Sequence, residues 1–286
     1  MNAPAPTLQT TARQVVWSGA GIAASDGAGV KLNRIIGQPV LPDLDPFLLL
    51  DEFGSDDPAA YIAGFPSHPH RGFETVTYML AGRMRHKDNA GNEGLLGPGS
   101  VQWMTAGRGI VHSEMPEQAE GLMQGFQLWV NLPAKDKLTE PRYQDIAAER
   151  VPRVDLGHGA SARVLAGEVA GVRGPVDPGE TAPIFLDIAL EPGASATVPL
   201  PTGHNAFVYV YEGEAAVGDP PTGLARGRIG VLSAGVDVRL AARAGARLIL
   251  IAGRPLREPV AKYGPFVMNT EAELRQAFED FRAGRF

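Results

Sequence analysis

The sequence predicts an all-β protein with two domains, and three observations support this prediction. A chain of 286 residues is long enough for two domains that each bury a core. Its 35 glycines and 24 prolines exceed ordinary usage, as expected where many tight turns join short strands. Short apolar segments alternate with turn residues about every 8–12 residues, a rhythm typical of a β-sandwich or β-barrel.

The strand candidates lie in both halves of the chain and are separated by a polar segment. They cover residues 75–80, 83–88, 124–132, 184–190, 206–211, 230–232, 236–240 and 247–252. Residues 133–152 are polar and charged, which indicates a linker. We therefore predict an N-terminal domain of residues 1–138 and a C-terminal domain of residues 139–286.

One helix is predicted, at about residues 271–283. Thr270 and Glu273 form the pattern of a capping box, in which each side chain binds the other residue's backbone N–H. Leu274, Phe278 and Phe281 follow at helical spacing, so one face of the helix should be buried. Gly284 stands where a C-terminal cap is expected.

Composition excludes several classes of function. The net charge of −6 gives no overall attraction to nucleic acid or to anionic lipid. The absence of cysteine excludes disulfides and thiol chemistry. No apolar run approaches the ~20 residues of a membrane span, and residues 1–14 do not resemble a secretory signal. We expect a cytoplasmic protein that binds neither DNA nor membrane, with a disordered segment at residues 1–12.

Two pairs of potential metal ligands stand 42 residues apart. The first is His68-Pro69-His70 and the second is His112-Ser113-Glu114. Side chains two residues apart in a strand point to the same face, so two such pairs on neighbouring strands can direct four donors to one point. Three imidazoles and a carboxylate suit a divalent first-row metal. Histidines with ordinary hydrogen bonds are the competing interpretation, and spacing alone leaves both open.

The same region resembles a known family. His-x-His followed by Glu74 and Gly82, and then Gly109-x-x-His112, is similar to the two motifs of the cupin superfamily. Longer strings at residues 44–53, 65–76 and 102–115 resemble the pirin family specifically. The similarity extends over residues 27–131 and returns at residues 264–269 and in the final helix.

The resemblance implies a bicupin, with two jelly-roll-like β-barrels and metal only in the first. By position, the implied ligands are His68, His70, His112 and Glu114. Fe(II) is the expected ion, with Ni, Co, Mn, Cu or Zn as alternatives. Glu74 is expected to play a supporting or structural role, because pirins take their carboxylate from the second motif.

Several bacterial pirins are flavonol (quercetin) 2,3-dioxygenases, so the resemblance implies a flavonol and dioxygen as substrates. Glu114 would also accept the proton of the flavonol hydroxyl. Further pocket candidates are His86, Met104, Gln127 and Trp129, although a solvated strand for His86 and barrel core for Met104 and Trp129 are simpler interpretations.

The alternative is a metal-dependent interaction or regulatory protein with a protein partner. That function predicts an exposed patch near the metal, around Arg71, Arg83 and Arg85. An open cavity of ~300 Å³ or more beside the metal would favour an enzyme instead.

Overall fold

The computed structural model describes residues 11–177 and 179–286. The predicted disorder of residues 1–12 therefore falls almost wholly outside the described residues. The described strands of the first half are β1 Val15–Ala20, β2 Ile22–Asp26, β3 Val30–Ile36, β4 Phe47–Ser55, β5 Phe65–His70, β6 Phe73–Ala81, β7 Met84–Asp88, β8 Glu93–Leu96, β9 Val101–Thr105, β10 Ile110–Pro116, β11 Met123–Asn131 and β12 Arg142–Ile146. Those of the second half are β13 Arg153–Gly157, β14 Ala160–Ala166, β15 Glu168–Val169, β16 Val172–Arg173, β17 Ile184–Leu190, β18 Ser195–Pro199, β19 Asn205–Val217, β20 Thr222–Ala225, β21 Arg228–Leu232, β22 Asp237–Ala241, β23 Ala246–Gly253, β24 Ala261–Tyr263 and β25 Phe266–Met268.

These strands form two compact units, each assembled from three segments. The unit called here the first barrel comprises Gly21–Pro152, Gly174–Ala182 and Arg254–Phe286. Among the described residues, the second barrel comprises residues 11–20, Arg153–Arg173 and Pro183–Gly253. The all-β fold with a C-terminal helix is confirmed, whereas a single domain boundary after residue 138 stays a prediction.

The first barrel contains two main antiparallel sheets. One has seven strands in the order β12-β9-β6-β11-β4-β3-β2, and the other has four in the order β5-β10-β7-β8. The strand candidates at residues 75–80, 83–88 and 124–132 are confirmed as β6, β7 and β11. Because β5 is an edge strand, Pro69 removes no hydrogen bond from the interior of a sheet.

The second barrel is built on a ten-stranded sheet whose main path is β1-β21-β19-β23-β17-β14-β13. Alternate residues of its strands fill one apolar core, which includes Val164, Leu186, Val208 and Leu250. Each of these side chains is completely buried, as expected where the inner face of a sheet is packed.

The segment at residues 133–152 is not a free linker. It forms β12, which pairs with β9 at the edge of the seven-stranded sheet through the register Arg142↔Thr105 to Ile146↔Val101. Polar composition indicated a linker there because an edge strand exposes much of its surface. Of the five residues of β12, Ile146 alone is buried.

The predicted helix is confirmed as α1, Glu271–Arg282, and its capping box is present. Leu274 is buried together with Ala277, while Phe281 remains 38% exposed, so the apolar stripe is only partly covered. Gly284 follows the helix with a φ of +67°, the left-handed conformation that favours glycine. No helix within residues 11–177 and 179–286 is both long and apolar enough to cross a membrane.

An ion pair joins α1 to the strand that carries the first histidine pair. Arg71, directly after β5, donates from Nη1 to Asp280 Oδ2 at 2.6 Å and from Nε to the carbonyl oxygen of Arg108. The Arg71 side chain is 6% exposed and that of Asp280 17%, so water screens the pair only weakly. The hydrogen bond from Arg71, with others from Gln276 and Arg285, lowers the pKa of Asp280.

We predict that Asp280→Asn destabilises the protein by about 2 kcal/mol at pH 7, because the buried Arg71 guanidinium loses its carboxylate partner. The folded state lowers the pKa of Asp280, so its stabilising effect is complete above the ordinary aspartate value of about 3.9 and is lost as the pH falls through the folded-state pKa. The stability difference between wild type and variant, measured by urea unfolding, should therefore shrink only in strong acid.

Glu140→Gln is the matched control, since it removes an exposed ion pair with Arg108 in the same barrel. Its expected effect is below about 1 kcal/mol. An Asp280→Asn variant as stable as this control at pH 7 would contradict the assigned role of the pair.

Candidate metal centre

The two predicted ligand pairs lie on neighbouring antiparallel strands. Strand β5 pairs with β10, and the register places His112 directly opposite His68. Residues opposite each other in such a pair point to the same face, so the alternation within each strand brings His68, His70 and His112 together. A register irregularity follows between His112 and Glu114.

Side-chain nitrogens of the three histidines all lie within 4.8 Å of one another, while the Glu114 carboxylate falls outside this cluster. His68 Nε2 and His70 Nε2 are 3.0 Å apart. Two nitrogens bound at right angles to one ion, each at ~2.1 Å, would also be about 3.0 Å apart. The observed separation therefore suits two ligands of a single ion.

The hydrogen bonds of His68 define which of its nitrogens can bind an ion. Its Nδ1 lies 2.8 Å from the carbonyl oxygen of Pro66. A carbonyl only accepts, so Nδ1 carries the hydrogen and Nε2 presents its lone pair towards His70. A backbone carbonyl that orients an imidazole in this way is the usual support of a metal-binding histidine.

His112 gives independent evidence for an ion. It is 1% exposed, and neither of its ring nitrogens has a hydrogen-bond partner among the described residues. Buried polar atoms are normally paired, and leaving one unpaired costs roughly 1–3 kcal/mol. The donor set is thus incomplete without a further group, and a divalent cation fits it.

Burial determines the charge of these side chains. It lowers the pKa of His70 well below the usual value, and the neighbouring His112 and His68 act in the same direction. Burial also lowers the pKa of His112, again with help from His68. Both histidines are therefore neutral at pH 7, which is the form that binds metal.

Glu114 is 4% exposed and lines the same cavity as His68 and His70. Burial raises its pKa, while His68 and a hydrogen bond from Thr77 act against this increase. The Thr77 hydroxyl oxygen lies 2.9 Å from Glu114 Oε1 and 2.7 Å from the side-chain amide of Gln127. Glu114 is thus held by a hydroxyl from the seven-stranded sheet while it belongs to the four-stranded one.

A cavity of about 760 Å³ opens beside the histidines, entirely within the first barrel. Its walls are mixed, with the aromatic rings of Phe53, Phe65 and Trp129 and the polar groups of Gln127 and Glu114. Such a volume accommodates a small aromatic molecule, since ligand cavities span roughly 300–1,000 Å³.

A row of polar residues crosses six strands of the seven-stranded sheet beneath this cavity. Cross-strand pairing connects, in order, Arg34, Asp51, Gln127, Thr77, Gln102 and Asp145. Arg34 binds both carboxylate oxygens of Asp51, at 2.9 and 2.7 Å. At the other end, Gln102 donates to Asp145 at 2.8 Å. Thr77 stands at the centre of the row, where Glu114 approaches it.

Comparison with known proteins identifies the family. A model described as Pirin matches residues 29–130, and one described as Pirin C-terminal cupin domain matches residues 185–286. The chain belongs to the pirin family.

Relatives and solved structures agree with this assignment. A Pseudomonas aeruginosa protein provisionally named quercetin 2,3-dioxygenase is 52% identical, over 96% of this chain and 98% of its own. Pirin of Homo sapiens is 44% identical, over 90% of this chain and 88% of its own. The crystal structure of quercetin 2,3-dioxygenase from Acinetobacter baumannii is similar with a TM-score of 0.89 at 38% identity, covering 96% of this chain and 98% of that one.

The other predicted site residues of this pirin are divided between cavity and core. Gln127 and Trp129 both line the cavity, although barrel core was the simpler interpretation of Trp129. Met104 does not, because it packs in an apolar cluster with Ala106 and Ile110. Glu74 is buried away from the cavity, where it accepts a 2.7 Å hydrogen bond from Thr105, which agrees with a structural role.

The interpretation of His86 as part of a solvated strand is wrong. His86 is 1% exposed, stacks on the ring of Tyr143 and lies 3.3 Å from Asp145 Oδ2. It is also directly opposite Glu114 in the β7–β10 pair, although it does not line the cavity. Both Tyr143 and Asp145 belong to β12, the strand that was interpreted as linker, so nothing in the local sequence indicated this cover.

The exposed arginine patch expected for a regulatory protein is also not formed as predicted. Arg71 is 5% exposed and bound to Asp280, and Arg85 is paired with Glu93 and Glu117.

The sequence analysis missed two residues that contact the site or its supporting turn. Thr77 binds Glu114, and Lys137 donates from its buried Nζ to the carbonyl oxygen of Gly72 at 2.8 Å. Neither carries a local signal, since each depends on strands that meet only in the fold.

We predict that wild-type protein binds about one divalent ion per chain and that His112→Ala binds it at least 100-fold more weakly. The imidazole makes no hydrogen bond among the described residues that the substitution would remove, so the metal-free variant should fold. Metal content after dialysis and titration calorimetry with Fe(II), Ni(II) and Mn(II) measure the effect. His158→Asn, at an exposed position of the second barrel, is the control and should bind as wild type. Equal affinity in His112→Ala would contradict the assignment.

Proposed function

We propose that this pirin is a metal-dependent dioxygenase that cleaves the C2–C3 and C3–C4 bonds of flavonols such as quercetin, so that carbon 3 leaves as carbon monoxide and the two oxygen atoms of dioxygen are retained on carbons 2 and 4. The reaction consumes one dioxygen, breaks the central ring to give a depside and releases one carbon monoxide. The observation that carries the proposal is the cluster of three histidines, two of which, His68 and His70, line a cavity of about 760 Å³. The similarity to quercetin 2,3-dioxygenase from Acinetobacter baumannii supports the same chemistry.

His68, His70 and His112 would hold one ion, for which Fe(II) is our first choice, and Glu114, which lies outside the histidine cluster, would be the fourth ligand that the pirin resemblance implies. Three nitrogens and one oxygen also suit Ni, Co, Mn, Cu or Zn. When bound, the ion supplies a Lewis acid for the flavonol oxygens and a site where dioxygen can react. The fold supplies the preorganised donors.

Glu114 is the residue that we assign to proton transfer. Burial raises its pKa, so its carboxylate has a stronger tendency to accept a proton than an exposed glutamate. It lines the same cavity as His68 and His70, into which the 3-hydroxyl of a flavonol would enter. Thr77 holds Oε1 through a hydrogen bond, which leaves Oε2 as the oxygen available to the hydroxyl proton.

The cavity walls orient the flat substrate and limit water. Trp129 and Phe53 provide aromatic faces on adjacent strands of the seven-stranded sheet. Trp129 packs on Phe73 with ring centroids 4.4 Å apart, which restricts its movement. The volume favours a substrate enzyme over a regulatory protein, because a site that only tunes a surface needs no such cavity.

The experiment is turnover of quercetin by protein reconstituted with each ion in turn. Loss of the flavonol's visible absorbance in air, with one carbon monoxide released per quercetin, is expected for at least one metal. His112→Ala should be inactive, and Glu114→Gln at least 100-fold slower because it cannot accept the proton. His158→Asn should retain full activity. Absence of turnover with every ion would overturn the proposal and leave the metal site itself intact.

A further inference from the structure

The Thr77 hydroxyl contacts two acceptors and has one hydrogen. Its oxygen lies 2.9 Å from Glu114 Oε1 and 2.7 Å from the amide oxygen position of Gln127. A hydroxyl can donate to one of these groups only, while its lone pairs can accept from another. The three side chains therefore form a chain of hydrogen bonds with a direction.

Glu114 determines that direction once it binds an ion. A coordinated carboxylate carries no hydrogen, so it can only accept from Thr77. Thr77 must then accept from Gln127, which is possible only if the Gln127 NH₂ group faces the hydroxyl. The oxygen and nitrogen of a side-chain amide occupy equivalent positions, so a half-turn of the amide satisfies this requirement without moving any other atom.

The same half-turn directs the other end of the amide. Gln127 is half-buried and lines the cavity, and its side chain has no hydrogen-bond partner other than Thr77 among the described residues. Its neighbour Asp51 is occupied by Arg34. The Gln127 carbonyl oxygen is thus left as an acceptor without a protein donor, on the wall next to Glu114.

We propose that the side-chain carbonyl oxygen of Gln127 selects ligands that carry a hydroxyl group. Thr77 fixes this preference because it holds the side-chain amide of Gln127 in one orientation. The inference rests on the proposed function, because it assumes an aromatic ligand whose other oxygens approach the ion. It identifies the substrate class more narrowly, as a flavonol with a second, hydrogen-donating hydroxyl at the ring position that faces Gln127.

A methyl ether at that position is the informative comparison. It has no hydrogen to donate, so its oxygen would face the Gln127 oxygen with lone pair against lone pair. A site that binds a hydroxyl group discriminates against an analogue that lacks the hydrogen. We expect the methyl ether to bind at least about tenfold more weakly than quercetin. Were the amide free to turn, its NH₂ group could bind the ether oxygen and the preference would disappear.

The experiment measures binding of quercetin and its 5-, 7-, 3′- and 4′-monomethyl ethers to metal-saturated protein without oxygen, by quenching of tryptophan fluorescence. In wild type, at least one ether should bind about tenfold more weakly than quercetin. Thr77→Val removes the hydroxyl at nearly constant volume from a buried residue that does not line the cavity. The ratio of the dissociation constant of this ether to that of quercetin should fall to about 1 in Thr77→Val and should be retained in Thr77→Ser. Gln127→Leu should also abolish it.

The outcomes separate this inference from the proposed function. A preference retained in full by Thr77→Val and Gln127→Leu, or no preference in wild type, overturns the inference even if quercetin is turned over. A preference that depends on Thr77 without any turnover supports the inference and contradicts the dioxygenase. Failure of the wild type to bind quercetin removes both. If Thr77→Val does not fold, Gln127→Leu alone decides, since its side chain is at the cavity wall.

Discussion

The pairing of β5 with β10 is the constraint on which the site depends. The register sets His112 opposite His68, and strand alternation then adds His70 on the same face. A slip of one residue would turn every one of these side chains to the other face. The register shifts between His112 and Glu114, and the Glu114 carboxylate accepts a hydrogen bond from the Thr77 hydroxyl.

This register buries polar side chains, which costs free energy wherever they lack hydrogen-bond partners. Three imidazoles and a carboxylate are packed into a barrel interior, and in the described part of the chain no hydrogen bond to His112 offsets the burial of its ring nitrogens. By contrast, the core of the second barrel consists of valine, leucine, isoleucine and alanine side chains. The polar row of the seven-stranded sheet partly offsets the cost in the first barrel, because Thr77 provides Glu114 with a hydrogen bond.

The sequence could predict those features whose pattern lies within a few neighbouring residues, and not those that depend on contacts between distant segments. His68 and His70, like His112 and Glu114, are two residues apart, and the period of a strand makes such pairs visible without a structure. The capping box of α1 is equally local. His86 was misinterpreted because its cover is Tyr143 of β12, which is 57 residues later in the chain and lies in a polar segment. Thr77 carries no pattern of its own, since its role arises only where two sheets meet.

Lys137 extends this argument to the support of the site. Its buried ammonium donates to the carbonyl oxygen of Gly72, the side-chain oxygen of Asn131 and the carbonyl oxygen of Val267. Those groups belong to the turn after β5, the end of β11 and the strand β25, so one side chain joins three segments of the first barrel. Arg71 makes a similar connection to α1. The turn that follows His70 is thus fixed by residues up to 209 positions away in sequence, so the C-terminal segment supports the strand that carries His68 and His70.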